Sequence, residues 1–157
     1  MSNLVTHMRT SAEAGNADAQ FNLGVLLDNG FDDKGRFVGA KREEAISWLR
    51  KAAKNGLSRA QCKLAQIYAA GENPADLERA GSWFMVAMDN ASGGGGISAR
   101  DGFEKVARRL SSEQLSRVQA CAVAWTTRIE AARDLRERAL SALAVTSRGG
   151  AFAINRL

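Results

Sequence analysis

The stretch Ala12-Glu13-Ala14-Gly15-Asn16-Ala17-Asp18-Ala19-Gln20-Phe21-Asn22-Leu23 returns, at an offset of 41, as Ala53-Lys54-Asn55-Gly56-Leu57-Ser58-Arg59-Ala60-Gln61-Cys62-Lys63-Leu64. The pairs Ala12/Ala53, Gly15/Gly56, Ala19/Ala60, Gln20/Gln61 and Leu23/Leu64 are identical, and the match runs on to Gly30/Gly71. A second offset, 35, sets Ala45-Ile46-Ser47-Trp48-Leu49 on Ala80-Gly81-Ser82-Trp83-Phe84, with Ala52 on Ala87. The six-residue difference falls wholly between Gly30–Ala45 and Gly71–Ala80. Loops tolerate such length changes and helices do not. The unit is therefore helix, variable loop, helix, tight turn.

Local signals agree. Ala19, Leu23, Leu26 and Leu27 lie on one helical stripe, and Ala60, Leu64, Ile67 and Tyr68 repeat it. The second helix carries Ala45, Trp48, Leu49 and Ala52, then Ala80, Trp83, Phe84 and Ala87. Gly30 and Gly71 stand where a left-handed residue would end a helix. Ser58-Arg59-Ala60-Gln61 and Ser111-Ser112-Glu113-Gln114 read as capping boxes, and Asn73-Pro74 as an N-cap before an N1 proline.

Composition excludes several classes. The chain has 157 residues, 45% of them hydrophobic, and a net charge of +5, as expected for one globular domain. Apolar runs reach about half the length of a membrane span. Met1 to Thr10 lacks a signal-peptide core, so a cytoplasmic location is expected. Cys62 and Cys121 are far apart and His7 is the lone histidine, so neither a disulfide framework nor a metal site is expected. Gly93-Gly94-Gly95-Gly96 lacks the lysine and hydroxyl residue of a phosphate loop and reads as a hinge. Asp32-Asp33 and Glu43-Glu44 read as solvated acids. Without a serine elbow or a base beside a nucleophile, no catalysis and no cofactor are expected.

The block from Ala12 to Gly24, with Gly30, Ala45-x-x-Trp48 and Ala52-Ala53 after it, resembles the Sel-1-like repeat, a relative of the tetratricopeptide repeat. The resemblance covers about Met1 to Trp125. Leu27 departs from it where an aromatic is preferred, although Tyr68 restores one, and Ala65 replaces the glycine matched by Gly24. A third unit is degraded, with Ala99 matching Ala60 at offset 39 and Gly102 at the Lys63 position. The implied fold is an all-α superhelix of about two full helix pairs with capping half-repeats. The implied function is a non-catalytic adaptor whose concave face, lined by the first helix of each unit, holds another protein or peptide. Asn22, Val25 and Leu26, matched by Lys63, Gln66 and Ile67, are the groove candidates, with Leu26 and Ile67 half exposed.

Two further segments invite partners. In the Gly30–Ala45 loop, Phe37 or Val38 is expected to tuck into the preceding helix pair rather than to contact a partner. Residues 126–157 form a second region, a basic helix and tail with six arginines against three acids. Ile129, Ala132, Leu135, Ala139 and Leu143 make an apolar stripe along it, predicting a helix to about Val145 that Gly149-Gly150 ends. Three uses compete: a cap packed on its own array, self-association or pairing with another chain through 126–145, and contact with nucleic acid or anionic lipid. The last is disfavoured, because phosphate binding usually engages about 6–10 cations undiluted by acids.

Overall fold

The computed structural model describes residues 3–32, 35–71, 73–90 and 95–150. Among them are seven helices: α1 (Asn3–Glu13), α2 (Ala17–Asp28), α3 (Arg42–Lys54), α4 (Ser58–Ala69), α5 (Pro74–Asp89), α6 (Gly95–Ala107) and α7 (Ser112–Gly150). No strand occurs among the described residues. Each helix from α1 to α5 packs on the next, and α6 and α7 both pack on α5. The result is a helical-repeat array in which α2–α3 and α4–α5 are the full pairs.

Recurring small residues let the pairs close. At Gly24 an added Cβ would come 2.7 Å from Leu49 Cγ, so α2 and α3 meet there with no room for a side chain. Ala45, Ala52, Ala60, Ala80 and Ala87 are buried, and so are Ala19, Leu23, Leu64 and Tyr68. A smaller core cluster joins Ala12, Ala19, Leu23, Leu27, Ala45 and Trp48. A larger one runs from Leu49 through α4 and α5 to Ile129. Trp48 and Trp83 are both buried, as repeat equivalents should be. Their ring neighbours differ: the Lys51 ammonium sits 3.9 Å from the Trp48 ring, whereas Trp125 stacks on Trp83 with centroids 5.0 Å apart.

The buried glutamines also repeat. Gln20 Nε2 donates to the Ala12 carbonyl and Gln61 Nε2 to the Ala53 carbonyl, both at 3.0 Å. Each thereby ties a first helix to the end of the helix before it. That use of Gln61 corrects the capping box expected at Ser58. Leu57 is the N-cap of α4 and provides no side-chain cap, because the Gln61 amide is committed to the core. The other two signals hold. Ser111 and Gln114 cap each other reciprocally, and Asn73 accepts from the Ala75 amide ahead of α5.

The glycines divide by cause. Gly15 and Gly56 make the tight turns at φ +95° and +84°, and Gly30 ends α2 at +88°. Gly71 does not adopt the left-handed conformation expected of it. Space explains that glycine instead, since a Cβ there would meet the Tyr68 carbonyl oxygen at 3.1 Å.

The hinge expected at Gly93–Gly96 falls partly outside the described residues, and Gly95 and Gly96 belong to α6. The helix expected after Trp125 is the unbroken continuation of α7, which crosses 125–126 without interruption. Its described part extends to Gly150, beyond the end expected near Val145.

Candidate functional site

The first helices α2, α4 and α6 carry positions that are equivalent by repeat frame. Asn22 is exposed, and Val25 and Leu26 are half-buried. Lys63 is half-buried and reaches back to Asp28 Oδ2 at 2.8 Å, closing the gap between α4 and α2. Gln66 is exposed, with its amide 3.8 Å from Cys62 Sγ. Ile67 is a correction. It is buried in the larger core rather than half exposed, because α4 is covered from both sides while α2 has a smaller cluster behind it.

Gln66 opens onto a cleft of about 790 Å³ between α4 and α6, with Phe84 of α5 among its lining residues. Ala69 and Ala70 line one wall, and Asp101, Gly102, Lys105, Val106 and Arg109 the other. Cys62 and Ser98 approach to 3.8 Å nearer the start of the two helices. The α6 residues were missed as site candidates because the third unit is degraded. Offset 39, which places Gly102 on Lys63, also places Lys105 on Gln66 and would have found them.

The Sel1 repeat family matches residues 17–57 and 58–84. Ala17 is the first residue of α2 and Ser58 the first of α4, so the family unit and the helix pair share their boundaries. Residues 17–84 are Sel1 repeats.

Among solved structures, these repeats resemble a protective antigen present in uropathogenic Escherichia coli strains that displays an SLR fold, with a TM-score of 0.70 at 28% identity. The superposition covers 88% of this chain and 28% of that one, so the chain spans under a third of that protein's length. No curated protein matches the chain.

The Sel1 repeats carry two further features, and the helix α7 beyond them a third. A smaller depression of about 370 Å³ gathers Arg42, Arg50 and Arg79 around Tyr68, with Glu43 and Asp76 beside them. Its arginines are engaged by the Ile67 carbonyl, the Tyr68 hydroxyl and the Asp76 carboxylate. The second is the long loop of the first repeat, which is a clasped hairpin. Phe31 and Phe37 pair as an antiparallel bridge, and Asp32, buried, accepts from both the amide and Nε of Arg36. Phe37 does not tuck into the helix pair as expected; it is 74% exposed and stands edge-on to Phe31 at 5.7 Å. Val38 is exposed as well, because its amide is drawn to the Gly30 carbonyl.

The third is α7. Val118, Ala122 and Ile129 are buried, and Arg133 and Arg136 reach Asn90 and Asn55. Ala132, Leu135, Ala139 and Leu143 of the expected stripe are exposed, as is Leu140. Packing uses the stripe as far as Ile129, since α7 then overshoots the end of α5. No described helix is long and apolar enough to cross a membrane. Among the described residues, no group of three His, Cys, Asp or Glu is arranged to hold a metal ion.

Proposed function

We propose that this chain is a non-catalytic scaffold that holds a protein or peptide partner along the face of α2, α4 and α6. One observation carries the reading. Successive first helices present equivalent positions, Asn22/Lys63/Gly102 and Val25/Gln66/Lys105, and the last pair of them leaves an open cleft with an apolar floor. Interaction surfaces of this kind need concavity, apolar contact area and a few placed polar groups. No cofactor enters the reading. A cytoplasmic working place accords with two free thiols, one of them exposed.

A second surface is favoured by Leu135, Leu140 and Leu143, which are exposed on α7 beyond its last packed turn among basic residues. Another chain, a second copy included, would cover apolar area there, whereas nucleic acid would not.

Panning a random peptide library on the immobilised protein tests both. Loss of the enriched peptides in Asn22→Arg/Gln66→Arg supports the first-helix face. Retention there, with loss in Leu135→Glu/Leu140→Glu, assigns association to α7. Enrichment of no peptide, or of peptides indifferent to both variants, overturns the scaffold reading.

A further inference from the structure

The α4–α6 cleft exists because one repeat position changes residue. Where Lys63 spans from α4 to Asp28 on α2, the equivalent residue on α6 is Gly102, which has no side chain to span anything. The ring of Phe84, itself 2% exposed, moves against that glycine. An added Cβ at Gly102 would lie 2.4 Å from Phe84 Cε1 and Cζ. Gly102, with the little of Phe84 that reaches the surface beside it, therefore forms an apolar floor toward the first-helix face. The α4 wall is kept back by Ala69 and Ala70, and Ile97, 75% exposed, sits at the rim. The volume of about 790 Å³ has room for a bulky apolar side chain and its flanking backbone.

The rim adds charge. Lys105 and Arg109 lie one turn apart on the α6 side, and among the described residues neither makes an ion pair. Asp101, one turn before Lys105, offsets one of the two cations and leaves a net positive edge. Gln66 on the opposite rim offers an amide that can pair with a peptide backbone.

We propose that this cleft takes a peptide segment in which a bulky apolar side chain is flanked by carboxylates. The apolar group seats against Phe84 and Gly102, and a carboxylate meets Lys105 and Arg109. The proposal rests on the first-helix face being the interaction surface and adds what that face recognises. A small anion alone would leave the apolar floor uncovered, and an uncharged apolar segment would leave the cations unanswered.

Three short blocked peptides test it, each with a central leucine flanked by two glutamates, two serines or two lysines, titrated into the full chain and followed by amide chemical shifts. The glutamate peptide is expected to bind tightest and to shift Phe84, Gly102 and Val106. Each step to serine and to lysine weakens binding about threefold, the size of one exposed charge pair. Lys105→Glu/Arg109→Glu inverts the order. A fold defect would weaken all three alike and could not invert it. Equal binding of the three peptides, or no shifts with any, overturns the proposal. Shifts at Asn22 and Val25 without change on α6 overturn the cleft and leave the first-helix reading standing. Shifts confined to α7 beyond Arg136 overturn both.

Discussion

Asn55 and Asn90 hold equivalent places at the ends of α3 and α5, and each joins a buried glutamine to an arginine of α7. Asn55 Nδ2 donates to Gln20 Oε1 at 3.2 Å while its Oδ1 accepts from Arg136 Nη2 at 3.1 Å. Asn90 repeats the relay between Gln61 and Arg133, both contacts at 3.4 Å. An amide can serve both neighbours because it is donor on one side and acceptor on the other. The repeat thus offers α7 two copies of one handle.

Removing a handle should loosen α7 and spare the rest. Asn55→Ala and Asn90→Ala are each expected to cost about 1 kcal/mol, the usual net value of a hydrogen bond. Arg133→Ala/Arg136→Ala should lower hydrogen-exchange protection across residues 129–137 and leave α2 to α5 unchanged. Undiminished protection in that double variant would show that the relay does not hold the helix.

The Trp83–Trp125 stack, with ring planes 30° apart, is a second and apolar tie between α5 and α7. Trp83→Ala is expected to cost about 3–5 kcal/mol, as for a buried indole. Trp125→Ala, at a half-buried site, should cost about 2 kcal/mol. A double-mutant cycle by urea unfolding should return a coupling of about 1 kcal/mol, within the range for aromatic pairs. Zero coupling would mean that the rings do not touch in solution.

Much of this architecture was legible because the Ala-Gln-x-x-Leu block and the tryptophan frames repeat, and burial follows frame. Ile67 shows where frame fails. It is equivalent to Leu26, yet α4 sits between two neighbours and α2 beside a smaller core. Ser58-x-x-Gln61 failed for a related reason, since a glutamine at that place can serve the cap or the core, and the core took it. Frame alone placed Lys63 and Gln66 on the first helix of the second unit. The cleft that Gln66 borders was not legible, because it depends on a glycine in a unit whose pattern has decayed. Phe37 was misjudged because the sequence gives no sign that Asp32 clasps the loop and turns its aromatics outward.

The two glycines Gly24 and Gly15 separate contact from conformation. Gly24→Ala must displace Leu49, whose Cγ would lie 2.7 Å away, and overpacking of this kind costs about 1–3 kcal/mol. Gly15→Ala meets nothing within 4 Å, so its expected cost of about 1 kcal/mol comes from φ +95° alone. Thermal melts of both, with Leu49→Ala added to each, discriminate the causes. The second change should offset the first at Gly24 and add to it at Gly15.

Acid should weaken the α5–α7 junction through Glu78. Arg117 grips that carboxylate with Nη2 at 2.8 Å and Nε at 3.2 Å, while also meeting Glu113. The hydrogen bonds from Arg117 hold the Glu78 carboxyl below the usual range, against a smaller opposing effect of burial. A folded-state pKa below the unfolded one means that the contribution is present above the unfolded value and lost as pH falls through the folded one. Wild type should therefore melt above Glu78→Gln at pH 7, and the gap should shrink once pH drops below about 4. A gap unchanged across that range would place the effect of the substitution in packing rather than in charge. Because Arg117 precedes the buried Val118, losing the clasp should also free the start of α7, raising hydrogen exchange near Ser116 before the relay at Arg133 responds.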